Sequence, residues 1–129
     1  MELKKILIVD DDAGIRRIAE LSLTKVGKLE VSLAKSGAEA LQLLANEKPD
    51  LILLDVMMPG MDGPAVLAEL RRNPDTANIP VVFLTAKIQQ RDVDSYAKLG
   101  ALGVIGKPFE PTELAQELRK LYAQAMATT

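Results

Sequence analysis

Short apolar runs recur along this chain, separated by stretches in which apolar residues fall at helical spacing. Lys5 to Val9, Leu51 to Leu54 and Val81 to Leu84 are almost purely valine, isoleucine, leucine and phenylalanine. Runs of this kind predict strands buried on both faces. Two further strands are predicted at Glu30 to Ala34 and Leu102 to Ile105. Between the first two, Ile15, Ile18, Ala19 and Val26 mark the inner face of a helix from Ala13 to Val26, and Gly27 is expected to close it as the left-handed residue after the last turn. Ser36 with Glu39 reads as a capping box ahead of Ala40, Leu41, Leu43 and Leu44. Pro49-Asp50 is a boundary, and Met57 to Gly63 is a turn-rich loop before Pro64 opens a third helix, Ala65 to Arg71. Asn73-Pro74-Asp75 breaks the chain again before the fourth strand, which ends at Thr85. A fourth helix is expected from Gln89 to Leu99, stopped by Gly100. Pro111 and Thr112 begin a last helix running to about Ala125, followed by a frayed tail.

Strands that alternate with helices in this way imply right-handed crossovers and a parallel sheet covered on both faces, a doubly wound α/β sandwich. In such sheets ligands bind beyond the carboxyl ends of the strands. Asp10 and Asp11, Asp55, Thr85 and Lys107 all stand at or just past those ends. A carboxylate that follows a buried run emerges where the core stops, a poor place to put one for packing.

Composition narrows the chemistry. The chain has 129 residues, 48% hydrophobic, which suits one domain with a sizeable core; the expectation is a single domain over 1–129 with its core at about 4–125. A net charge of -2 supplies no basic field for direct nucleic-acid binding. No apolar stretch approaches the ~20 residues of a membrane span, and Met1 to Lys5 leads straight into a strand, so a cytoplasmic protein without membrane contact is expected. Cysteine and histidine are both absent, which leaves oxygen ligands for any metal and favours magnesium, calcium or manganese. Tryptophan is missing too, so platforms for stacking bases or sugars are scarce.

Three clustered carboxylates repel one another by roughly 4 kcal/mol per pair at ~4 Å and an effective dielectric near 20. Lys107 offsets one charge, and a divalent ion at Asp10, Asp11 and Asp55 would offset the rest; water-completed octahedral ligation suits Mg2+, with Mn2+ as a substitute. A carboxylate beside such an ion can also attack phosphorus and form an aspartyl phosphate. Thr85, Lys107 and backbone amides after the third and fourth strands, such as that of Ala86, are then the donors expected to meet the phosphoryl oxygens.

Val9-Asp10-Asp11, Leu54-Asp55-Val-Met-Met-Pro-Gly-Met-Asp62-Gly63, Leu84-Thr85-Ala86 and Lys107-Pro108-Phe109 together resemble the receiver domain of bacterial two-component response regulators. The resemblance covers essentially the whole chain. It implies a flavodoxin-like (βα)5 fold with strand order 2-1-3-4-5, and Asp55 as acceptor of a phosphoryl group from the phosphohistidine of a sensor histidine kinase or phosphotransfer protein. It also implies Mg2+ held by Asp11, Asp55 and the backbone carbonyl of Met57, with Asp10 acting through water. Thr85, Ala86 and Lys107 would contact the phosphoryl group, and the Lys107-Pro108 peptide would be cis. Such a domain catalyses its own phosphoryl transfer without being a turnover enzyme. Its output would be a protein target at the surface of helix 4, strand 5 and helix 5, as a monomer or a phosphorylation-dependent dimer.

Neighbouring residues read differently. Asp12 is read as a helix cap, Asp62 as a turn residue, Met57, Met58 and Met61 as loop packing, and Arg16-Arg17 as a solvated helix face that could border a partner. Many receivers carry tyrosine or phenylalanine three residues before the lysine, where it moves together with the strand-four threonine. Here that position is Val104, so a reduced or altered switch through Thr85 and Val104 is expected. Met57 and Lys87 hold the positions that in this family influence dephosphorylation. A magnesium phosphohydrolase with an aspartyl nucleophile is the alternative, but it needs an aspartate two residues past the nucleophile, where Met57 stands. A flavin-binding sandwich would need a hydroxyl-rich phosphate loop where Asp10-Asp11-Asp12 would repel the ligand.

Overall fold

The computed structural model describes residues 2–86 and 89–127. Five strands, β1 (Lys5–Val9), β2 (Glu30–Ala34), β3 (Leu51–Asp55), β4 (Val81–Thr85) and β5 (Gly103–Gly106), form one parallel sheet in the order β2-β1-β3-β4-β5. Five helices alternate with them: α1 (Ala13–Leu21), α2 (Gly37–Leu44), α3 (Gly63–Arg72), α4 (Gln90–Lys98) and α5 (Leu114–Ala127). Because successive strand residues point to opposite faces, β1 and β3 split their apolar runs between two cores. Ile6, Ile8, Leu51 and Leu53 meet Ala19, Leu114 and Leu118 of α1 and α5. Leu7, Val9, Ile52 and Leu54 meet Ala40, Val66, Leu70 and Tyr96 of α2, α3 and α4.

The end of the first helix differs from its expected form. After Leu21 the chain continues through Ser22–Val26 as a π-helical turn, with Gly27 N donating to Ser22 O at 3.1 Å. Thr24 Oγ1 donates to Glu20 O at 2.8 Å, and Ser22 Oγ donates across to Pro111 O. The wider turn delays the helical phase, so Leu23 faces the core while Val26, expected inside, is 54% exposed. Ile18, also expected inside, is 46% exposed.

Gly27 does not supply a left-handed cap: its φ is -82°, and the positive φ falls on Lys28 at 57°. Glycine is required there by proximity, since a Cβ would lie 2.6 Å from the Ala115 Cβ of α5. At the end of α4, by contrast, Gly100 takes the expected stop conformation at φ 102°. Pro111 and Thr112 precede α5 in a turn rather than opening the helix, and the helix holds to Ala127, past the expected fraying at Ala125. Thr128 and Thr129 of the expected tail lie outside the described residues.

Ser36 caps α2 as expected, but the capping box does not close, because Glu39 Oε1 accepts from Lys35 N at 3.0 Å rather than from Ser36 N, and Asp62, read as a turn residue, caps α3. Ser36 Oγ accepts from Glu39 N at 3.1 Å, and Asp62 Oδ1 accepts from Ala65 N at 2.9 Å ahead of Pro64. On α3, Arg71 donates to Ile79 O and Gly100 O, tying that helix to the start of β4 and the segment after α4.

Candidate functional site

Register assembles the site. Val9 pairs with Leu54 across β1 and β3, so the next residues, Asp10 and Asp55, emerge side by side at a strand spacing of about 4.8 Å. This is also where the strand order reverses, β2 lying to one side of β1 and β3 to the other. Thr85 closes β4 opposite Gly106, and Lys107 N donates to Thr85 O at 2.9 Å, which fixes the backbone from which the lysine reaches back. The Lys107-Pro108 peptide is cis.

Lys107 Nζ lies 3.0 Å from Asp10 Oδ2 and 3.1 Å from Asp55 Oδ1. Asp10, Asp55 and Thr85 are only 0%, 3% and 1% exposed, whereas Asp11 is open to solvent. Asp10 Oδ1 accepts from Asp12 N at 2.9 Å, and Asp55 Oδ1 accepts from Met57 N at 3.3 Å. Asp12 itself caps α1, accepting from Gly14 N and Ile15 N. The structure therefore brings Asp10, Asp55, Thr85 and Lys107 together at the core's edge, with Asp11 on the rim.

Electrostatics at this point are strained. Burial pushes the Asp55 carboxyl up to about 6; the Lys107 contact works against that shift and the Asp10 charge adds to it. Burial also disfavours the Lys107 ammonium, but its contacts with Asp10 and Asp55 outweigh that and hold its pKa above the ordinary lysine value. Because the folded-state value of Asp55 is raised, its contribution to stability is full below the unfolded carboxyl pKa and is lost as pH climbs through about 6. In chelator, the stability difference between Asp55→Asn and wild type should therefore shift by about 1–3 kcal/mol in the variant's favour between about pH 4 and pH 8. Melts of both proteins across that range check this; a constant difference would count against burial as the cause.

A cation fits the arrangement. One carboxylate oxygen from each of Asp10, Asp11 and Asp55 lies within 4.8 Å of the others. Asp10 Oδ2 is buried and, although Lys107 is near, accepts no directed hydrogen bond. An all-oxygen set that includes a buried carboxylate atom whose one close partner among the described residues is the Lys107 ammonium suits a hard divalent ion.

Two positions depart from expectation. Met57 is 65% exposed on the rim rather than packed, while Met58 is buried and Met61 lies partly buried against the core. Arg16 is half-buried and donates from Nη1 to Asp10 O at 2.8 Å, so it is not simply part of a solvated face. Spacing alone did not reveal this, because the bond depends on where α1 leaves β1. Ala86 follows β4 at the exposed rim, Val104 sits half-buried in β5 opposite Phe83, and Lys87 lies outside the described residues.

Residues 6–119 match the family model described as the response regulator receiver domain, and the chain belongs to that family. It is 43% identical over 122 residues to the probable transcriptional regulator ycf27 of Porphyra purpurea, covering 95% of this chain and 49% of that protein. The chain thus spans about half the length of the curated relatives it matches. The chemotaxis response regulator CheY4 of Vibrio cholerae superposes with a TM-score of 0.85 at 31% identity, over 92% of this chain and 98% of that one. A putative response regulator from Chloroflexus aurantiacus gives 0.84 at 36% identity, over 95% and 99%.

Proposed function

We propose that Asp55 accepts a phosphoryl group from a phosphohistidine of a sensor kinase or phosphotransfer protein, and that the phosphorylated domain then engages another protein. The observation that carries this reading is the buried Asp10, Asp55 and Lys107 constellation, with Asp11 beside it, at the carboxyl edge of the sheet. An Asp55 carboxylate oxygen attacks phosphorus as the phosphorus–nitrogen bond breaks; the imidazole leaves with the bonding pair and takes a proton from solvent. The new charge is spread over three phosphoryl oxygens. Lys107 meets one of them as an ammonium, the Thr85 hydroxyl donates to another, and backbone amides of Ala86 and Met57 serve the rest.

Asp10, Asp11, Asp55 and the carbonyl of Met57 would hold Mg2+ or Mn2+, which when bound neutralises charge shared by the carboxylates and the phosphoryl oxygens. An ion that binds only the folded chain stabilises it by linkage, by about 1.4 kcal/mol at tenfold excess over its dissociation constant. Magnesium is expected to raise the melting temperature of the wild type and to raise that of Asp11→Asn less. Melts in chelator and in millimolar magnesium test this; identical curves for the wild type would refute a formed site.

The output surface is assigned to α4, β5 and α5, with an altered switch. Support comes from the aromatic packing beneath it. Val104 is the register partner of Phe83, and the ring facing Phe83 belongs to Tyr96 of α4, with centroids 5.1 Å apart and planes at 71°. Movement at Thr85 would then reach α4 through Phe83 and Tyr96 rather than through an aromatic on β5. With magnesium and beryllofluoride as phosphoryl mimic, amide shifts are expected to concentrate at the end of β4 and along α4. Shifts of equal size along β5 and α5 would sink the altered-switch reading.

A further inference from the structure

We infer that Arg16 is a positioning residue for the metal site: it fixes the peptide that carries Asp11. This rests on the reading of Asp10, Asp11 and Asp55 as the cation's ligands. Asp10 and Asp55 are buried at strand ends and share Lys107, so core packing and an ion pair hold both. Asp11 has neither support. It is exposed, and its carboxylate takes none of the hydrogen bonds or ion pairs seen among the described residues. Its placement therefore depends on its backbone.

That backbone leaves the sheet at Asp10, whose N donates to Ala34 O at 3.1 Å in the last bond toward β2. Beyond it, among the described residues, no strand N–H donates to the Asp10 carbonyl. Arg16 Nη1, from the first turns of α1, reaches back to that oxygen at 2.8 Å. A peptide unit is planar, so holding the Asp10 oxygen also holds the nitrogen and Cα of Asp11. The junction is closed from the other side by Asp12, whose N donates to Asp10 Oδ1 and whose side chain caps α1. Arg16 and Asp12 thus brace the Asp10–Asp11 peptide between strand and helix, and Asp11 is presented to the ion without a side-chain contact of its own.

Arg16 also places a positive charge near the site, and this has the opposite effect on a cation. Removing the charge alone should tighten Mg2+ binding; removing the brace should weaken it. The two roles therefore differ in sign. Residues that orient metal ligands typically contribute ~10–100-fold to affinity. Arg17, adjacent and exposed with none of the described hydrogen bonds or ion pairs, is the control for charge.

The test is calorimetric titration of the full chain with Mg2+, with Mn2+ followed by electron paramagnetic resonance as a second probe. Arg16→Met should weaken binding roughly tenfold or more. Arg16→Lys, which keeps a donor and the charge, should recover part of the loss, and Arg17→Met should bind as the wild type or tighter. Melts in chelator establish that each variant is folded. Should Arg16→Met fail to fold, Arg16→Gln carries the same expectation, because it lacks both the reach and the charge. Unchanged or tighter binding by the folded Arg16 variant, or equal weakening by Arg17→Met, overturns the positioning role. Absence of Mg2+ binding by the wild type would instead overturn the site on which the inference rests.

Discussion

Incubated with acetyl phosphate or phosphoramidate and magnesium, the wild-type protein should gain the mass of one phosphoryl group, and Asp55→Asn should gain none. The substitution keeps the shape of the side chain and removes only the anionic nucleophile, since an amide oxygen does not attack phosphorus at a useful rate. Neighbouring carboxylates are poor substitutes. Asp10 is fully buried, with Oδ1 occupied by Asp12 N and Oδ2 beside Lys107. Asp11 lies on the rim, and neither Lys107 nor the Met57 amide contacts it. Intact-mass spectra of both proteins decide the matter: equal gains would overturn the assignment of Asp55.

The second large effect is expected at Lys107. Lys107→Ala removes the ammonium that lies 3.0 Å from Asp10 and 3.1 Å from Asp55, and with it the charge that would meet a phosphoryl oxygen. Loss of one such donor typically lowers rate by about 100–1000-fold, and a reduction in phosphoryl incorporation of that order is expected. Stability should fall as well. Stranding one member of a buried ion pair costs about 3–5 kcal/mol when no relief is available. Relief is available here, because Asp55 already lies near 6 and would take up a proton near neutral pH once the lysine is gone. The stability loss should therefore be smaller than the loss of rate, and magnesium should restore much of it. A time course of mass gain beside melts with and without magnesium separates the two. Incorporation at the wild-type rate would remove Lys107 from the mechanism.

Much of this site could be read in the sequence because its members are marked by local pattern. Asp55 closes a run of leucine and isoleucine, and Asp10 follows another; a polar residue at the edge of a buried strand shows itself by contrast. Lys107 follows Gly106 at the end of β5 and precedes a proline. The errors share a cause. Straight helical spacing puts Val26 inside, but the π-helical turn over Ser22–Val26 changes the phase and leaves it exposed; Ile18, which lies before that turn, is exposed on α1 itself. Gly27 was expected as a left-handed cap, although its glycine is required by Ala115 on a distant helix. Arg16 resembled any other arginine on a helix surface until the angle between β1 and α1 placed it against the Asp10 carbonyl.

What the sequence determined by itself is therefore the set of elements and which residues stand at their carboxyl ends, since hydrophobic period and turn chemistry are properties of neighbouring residues. Tertiary structure alone decided how those ends meet. The pairing of Val9 with Leu54 puts Asp10 beside Asp55, and the crossover that carries β5 to the far side of β4 lets Lys107 reach both. The raised pKa of Asp55 and the reach of Arg16 to the Asp10 carbonyl follow from that convergence. Burial and distance between segments remote in the chain leave no periodic mark on either segment, so the sequence names the candidate groups and the packing sets the field around them.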